Sequence, residues 1–145
     1  MSRSSFETHG LPLDNRSPWP KFRANAMQNG RVNVQPEPNE RAPWVFKTGK
    51  GIFSSPVVDE SDTVYIGSAD HIFYAINPDG SIKWTLAVDG IIDSSALLDD
   101  QGRLYFASGD NHVYCVDRNS GAIIWRFQAQ TLAEVEEEFG IKTYN

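Results

Sequence analysis

Between residues 52 and 127 short apolar runs alternate with clusters of Asp, Asn, Ser, Gly and Pro, which is the spacing of strands and turns. Residues 52–58 read as a first strand, ended by the turn Asp59-Glu60-Ser61-Asp62. Residues 63–67, TVYIG, alternate as a second strand, and the turn Ser68-Ala69-Asp70 follows. Residues 71–76, HIFYAI, place Ile72, Tyr74 and Ile76 on one face of a third strand. Asn77-Pro78-Asp79-Gly80 is a turn, because Pro presets φ and Gly accepts a positive φ. Residues 82–86 supply a fourth strand that carries Trp84. The same order recurs at 91–98, 103–107, 111–116 and 122–127, with turns at Asp99-Asp100-Gln101-Gly102 and Arg118-Asn119-Ser120-Gly121.

The recurrence is a true repeat. Trp44, Trp84 and Trp125 fall 40 and 41 residues apart. Ser54-Ser55 returns as Ser94-Ser95, Tyr65 as Tyr105, Asp70 as Asp110 and Tyr74 as Tyr114, each 40 residues on. Aligned without gaps, 44–77 and 84–117 share nine identities in 34 positions. A period near 40 in an all-β pattern predicts one four-stranded antiparallel propeller blade per repeat. The predicted fold class is therefore all-β, with about two blades at 43–86 and 87–127.

The flanks read differently. Residues 1–42 hold Gly10, Pro12, Pro18, Pro20, Gly30, Pro36 and Pro38, which forbid a central strand or a long helix. They predict an extended Pro-rich arm, pinned to a neighbouring surface around Trp19, Phe22 and Met27. Residues 128–145 leave the repeat. Thr131 and Glu134 form a capping-box pattern, Leu132, Val135 and Phe139 share one helical face, and Gly140 is a stop signal. A short helix is expected there, its other face made acidic by Glu134, Glu136, Glu137 and Glu138. A frayed acidic tail is the alternative.

The segments AINPDGSIKW (75–84) and CVDRNSGAIIW (115–125) resemble the Trp-docking motif of pyrroloquinoline-quinone-like, or quinoprotein-like, β-propellers. In that family a small residue, an acidic or amide residue, a Gly turn and a Trp recur in each blade. The matching positions here are Ala75, Asn77, Gly80 and Trp84, then Cys115, Asp117, Gly121 and Trp125. The resemblance implies that each Trp lies flat between blades, where burial of the ring contributes roughly 2–3 kcal/mol. Residues 18–32, PWPKFRANAMQNGRV, are similar to the lead-in segment found before the first blade in such proteins.

The family includes quinoprotein dehydrogenases and propellers that bind no quinone and act as scaffolds. The dehydrogenases typically carry a vicinal disulfide, a calcium site and a catalytic Asp. This chain has one cysteine, so no vicinal pair can form, and no carboxylate and amide cluster outside turns suggests a calcium cage. The resemblance therefore implies the non-catalytic branch, with no cofactor, no metal site and no catalytic residue. One scaffold of the family is a bacterial outer-membrane lipoprotein, and this chain lacks the lipobox cysteine.

Composition narrows the function classes further. The 145 residues are 40% hydrophobic and 22% charged, a globular profile large enough to bury a core without disulfides or metal. No apolar run is long enough to span a bilayer, so no membrane insertion is expected. The first ten residues lack the apolar stretch of a signal peptide. That favours a cytoplasmic chain, or a periplasmic or extracellular one whose signal was removed. Residues 1–42 hold six Lys/Arg against four Asp/Glu, whereas 43–145 hold seven against fifteen. An acidic body with scattered bases does not attract phosphate backbones, so no nucleic-acid partner is expected.

Individual residues add little chemistry. Asp70 and Asp110 occupy matching turns where Asp accepts local N–H bonds, and His71 and His112 lack a third metal ligand. The serine pairs have no His/Asp partners for nucleophilic catalysis, and small polar residues there let inner strands crowd around the propeller axis. Cys115 reads as a buried small residue, and Gly49-Lys50-Gly51 is not a phosphate loop.

Propellers close with about four to eight blades, so two leave open faces that promote association. The expected role is a non-enzymatic interaction or assembly module, completed by self-association or by docking on a larger protein. Its expected contacts are Trp19, Phe22, Leu132, Val135 and Phe139. The alternative is a fragment or subunit of a quinone- or sugar-binding enzyme whose site lies in other blades.

Overall fold

The computed structural model describes residues 13–32 and 41–130, together with Glu134 and Glu138. Its strands are β1 (Val57–Val58), β2 (Val64–Gly67), β3 (Ile72–Ile76), β4 (Ile82–Ala87), β5 (Leu97–Leu98), β6 (Arg103–Ser108), β7 (His112–Asp117) and β8 (Ile123–Gln128). They form two four-stranded antiparallel sheets, β1-β2-β3-β4 and β5-β6-β7-β8, each in sequence order. Both sheets shift register at the same place, Ala75/Ile76 in one and Cys115/Val116 in the other.

The first strand of each sheet is shorter than the apolar pattern predicts. Only 57–58 and 97–98 pair, not 52–58 and 91–98. Serine hydroxyls end the ladder: Ser54 Oγ donates to the Gly67 carbonyl at 2.8 Å, and Ser94 Oγ to the Ala107 carbonyl at 2.7 Å. The Ala107 N–H also goes to Ser94 Oγ, at 3.1 Å. In the first sheet Pro56 has no N–H to give. Ser95 Oγ accepts the Ser55 N–H at 3.0 Å and so links the repeats directly.

The turns repeat atom for atom. Asp59 Oδ1 accepts the N–H groups of Ser61 and Thr63 while Oδ2 accepts the Tyr65 hydroxyl. Asp99 does the same for Gln101, Arg103 and Tyr105. At the next turn, Asp70 takes the Ile72 N–H and the Tyr74 hydroxyl, and Asp110 takes those of His112 and Tyr114. His71 and Asn111, at matching positions, both have positive φ, which Asn and His tolerate better than most residues.

The main core lies between the sheets. Val57, Tyr65, Phe73, Ala75 and Trp84 of one face pack on Leu98, Leu104, Phe106, Tyr114 and Val116 of the other, with Ile92 and Ala96 between. Phe73 and Phe106 stack at 4.4 Å. A smaller cluster, Ile66, Tyr74 and Ile76, sits on the outer face of the first sheet under Phe46.

The arm runs along the first strands of both sheets. Leu13 bridges Asp99, Trp19 bridges Val58 and Lys21 bridges Leu97. Main-chain bonds reinforce it: Val58 N–H to the Trp19 carbonyl at 2.9 Å and Leu98 N–H to the Pro20 carbonyl at 2.7 Å. The apolar patch expected to pin it is only part of the anchor, because Phe22 is exposed and Met27 is 80% exposed. A buried charge cluster does more. Arg118 donates to Asp14 Oδ2 at 2.6 Å and to both Glu60 oxygens at 3.1 and 3.0 Å, tying the arm to turns of both sheets. Burial works against the Asp14 carboxylate, but the Arg16 N–H and the guanidinium groups of Arg118 and Arg16 outweigh it and hold the carboxyl below its ordinary value.

Of the predicted C-terminal helix, Glu134 and Glu138 have helical backbone, and Gln130 donates to Glu138 at 2.7 Å. Leu132, Val135 and Phe139 lie outside the described residues.

Two predictions follow from these bonds. Burial opposes the charged forms of Asp70, Asp99 and Asp110, yet hydroxyl and N–H donors hold all three below their ordinary 3.8. Burial, and then the facing carboxylates, push Tyr74 and Tyr114 from 10.0 up to about 12. The carboxylates thus add stability that is lost as pH falls below about 4, and the tyrosines add stability that is lost as pH rises above about 10. The urea midpoint is expected to fall on both sides of a plateau, and Tyr74→Phe to flatten the alkaline fall. Arg118→Met, which removes the guanidinium shared by Asp14 and Glu60, is expected to cost about 3–5 kcal/mol. It should also speed tryptic cleavage at Arg16, read by gel.

Candidate functional site

The repeat builds one kind of seat for its outer-strand tryptophans. Each indole lies on a glycine of the following turn, and its N–H meets a carbonyl just before that glycine. Trp84 Nε1 donates to the Arg118 carbonyl at 2.9 Å, and a Cβ on Gly121 would come within 2.6 Å of the ring. Gly121 has φ +73°, so a side chain is excluded by both the ring and the backbone. Trp44 is held alike: its Nε1 donates to the Pro78 carbonyl at 2.9 Å, and a Cβ on Gly80 would come within 2.8 Å of its ring. The seat therefore joins one repeat to the next. Gly80 receives Trp44, and the Trp84 that follows it in sequence sits on Gly121.

The small residue of the motif works within its own sheet. Ala75 pairs with Trp84 and Cys115 with Trp125. Cys115 is fully buried, as the sequence suggests, and burial pushes its thiol up from the ordinary value.

Trp125 has no seat. Alternation puts Leu97, Tyr105, Ala107, Val113, Trp125 and Phe127 on one face of the second sheet. The period relates these to Val57, Tyr65, Gly67, Phe73, Trp84 and Leu86, the face that packs between the sheets. Trp84 is 8% exposed, whereas Trp125 is 43% and Phe127 63% exposed. Every residue of β8 is exposed. Among the described residues nothing covers this face, although its composition is that of an interior.

The residues expected to make contacts are distributed elsewhere. Trp19 is half-buried, its main chain bridged to Val58. Phe22 is exposed, with the Arg23 guanidinium 5.7 Å from its ring centre. Sequence reading named Trp125 as structural and passed over Phe127. The signal is the repeat itself: Phe127 stands at the position of Leu86, which packs on the main core. Among the described residues no group of three or more His, Cys, Asp or Glu could hold a metal ion, and no helix is long and apolar enough to cross a membrane.

Stacked four-stranded sheets joined by seated tryptophans define blades of a β-propeller. The family model described as outer membrane protein assembly factor BamB matches residues 28–138, and the chain belongs to this family of PQQ-like propeller repeats. None of the curated proteins compared matches the chain. Among solved structures, BamB from Moraxella catarrhalis is 17% identical with a TM-score of 0.52, over 58% of this chain and 26% of its own. Quinohemoprotein alcohol dehydrogenase from Comamonas testosteroni is 15% identical with a TM-score of 0.63, over 80% of this chain and 20% of its own. The quinohemoprotein alcohol dehydrogenase ADHIIG from Pseudomonas putida HK5 is 12% identical with a TM-score of 0.65, over 80% of this chain and 19% of its own. These likenesses are of fold, and the chain spans between a fifth and about a quarter of each structure.

The seats give a direct stability contrast. Trp84→Ala is expected to cost about 3–5 kcal/mol in urea unfolding, because it empties a filled interior site. Trp125→Ala should cost about 1 kcal/mol or less in the isolated chain, as an unseated surface residue does.

Proposed function

We propose that the chain is a non-enzymatic protein-interaction or assembly module built from quinoprotein-like propeller blades. The observation that carries this reading is the open face of the second sheet, where Trp125 and Phe127 stand exposed at positions that the first sheet buries. BamB, an assembly factor by name, supports it as a relative in fold. The arm residues Trp19 and Phe22 and the tail residues Leu132, Val135 and Phe139 are further contacts of the same module. Membership of the family and a protein partner belong together in this reading, and no quinone is required for it. A second reading, a fragment of a quinone- or sugar-binding enzyme, draws on the dehydrogenases whose likeness extends over 80% of the chain.

Two measurements separate the readings. The full chain, used as bait, should lose its captured protein at least tenfold on Trp125→Ala with Phe127→Ala, and undiminished capture would sink the interaction face. Equilibrated with pyrroloquinoline quinone and calcium, it should elute from a sizing column without quinone absorbance. Co-eluting quinone together with dye-linked alcohol oxidation would favour the enzyme.

A further inference from the structure

The two filled tryptophan seats share one geometry and differ in what holds the carbonyl. Both indoles lie on a glycine at positive φ, and both donate to a turn carbonyl at 2.9 Å. Trp44 takes its carbonyl from Pro78, a residue with no N–H and no polar side chain to anchor it elsewhere. Trp84 takes its carbonyl from Arg118, and every polar atom of Arg118 except Nε has a partner.

Those partners come from three parts of the molecule. The Arg118 N–H donates to the Gly102 carbonyl at 2.9 Å, in the first turn of the second sheet. Its carbonyl accepts the Tyr65 hydroxyl at 3.3 Å as well as the indole. Its guanidinium joins Glu60, in the first turn of the first sheet, to Asp14 of the arm. Asp14 is fully buried, and its own N–H donates to the Leu98 carbonyl at 3.2 Å, so the carboxylate is in place only while the arm is docked. Close by, the Ser17 hydroxyl donates to the Val58 carbonyl, a bond of the arm that does not touch Arg118.

We propose that Arg118 is a latch through which docking of the arm sets the tightness of the joint between the two sheets. Lifting the arm removes Asp14 from a guanidinium that is almost fully buried and already has an unpaired Nε. A buried charge that loses a carboxylate is costly where it stands. The side chain therefore turns toward water, and the turn that offers the Arg118 carbonyl to Trp84 loosens with it. The seat of Trp44 has no such connection and stays as it is. Linkage makes the effect reciprocal, so a slack joint also loosens the arm. The two-state element is the arm itself, docked or lifted, and the joint reads its state. This inference does not rest on the interaction reading.

Native-state hydrogen exchange of the full chain, read by NMR, tests the latch with Trp44 as the internal control. Asp14→Asn should speed exchange of the Trp84 indole N–H roughly tenfold, beyond any change at the central-strand amides of β7, with the Trp44 indole unchanged. In the reverse direction, Trp84→Phe should speed exchange of the Asp14 amide, and Trp44→Phe should not. An unchanged Trp84 indole overturns the proposal, and so does one that moves only in step with β7, since that is global destabilisation. If Asp14→Asn loses its near-ultraviolet dichroism, Ser17→Ala, which weakens the arm away from Arg118, is read by the same criteria. Failure here leaves the bait and quinone measurements standing, because neither depends on Asp14 or Arg118.

Discussion

The constraint on which the rest depends is the flat seating of an indole on a glycine one repeat later. It needs three things at once: an outer-strand Trp, a turn with a glycine at positive φ, and a carbonyl aimed at the indole N–H. Gly121 and the Arg118 carbonyl supply the last two for Trp84. Once the ring is down, Tyr65 and Phe73 have a wall to pack on, at centroid distances of 6.0 Å each. The stack continues through Phe106 to Tyr114. The core of the first sheet is thus completed by a turn of the second.

Arg118 connects this seat to the arm. Its carbonyl accepts the Trp84 indole while its guanidinium reaches Asp14 and Glu60. One residue therefore serves the apolar joint through its main chain and the polar joint through its side chain. Burying an arginine is tolerable because carboxylates surround it, although its Nε finds no hydrogen-bond partner. The charge cluster also explains why a Pro-rich segment with so few apolar anchors stays aligned along β1 and β5.

Much of this was legible in the sequence where local chemistry decides the outcome. The second, third and fourth strands of each repeat follow from alternation, and their turns from Asp, Pro and Gly at fixed offsets. The Trp period disclosed the blades. What escaped was decided over distance. Ser54 and Ser94 look like strand residues, but their hydroxyls take the carbonyls that pairing would have used. Asp14 and Arg118 lie 104 positions apart, and nothing local in LPLDNR or VDRNS announces that they meet. Asp59 and Asp99 share the 40-residue offset with the tyrosines they bind, a repeat hidden inside turns whose composition already accounted for an Asp. Trp125 was readable as a docking residue, but its exposure is set by what packs on the second sheet, and nothing local in AIIWRF states that.

Because every seat points forward along the chain, the molecule has a direction in time as well as in space. A chain growing from its N-terminus can hydrogen-bond the first sheet as soon as Ala87 is made, but Phe73 and Trp84 stay wet until Phe106 and then Gly121 arrive. The newest blade is always the unfinished one, and each finished blade owes its dryness to its successor. Trp44 keeps that order, seated on the later Gly80, so the outer face of the first sheet is covered by a segment made before it while the other face waits for its neighbour.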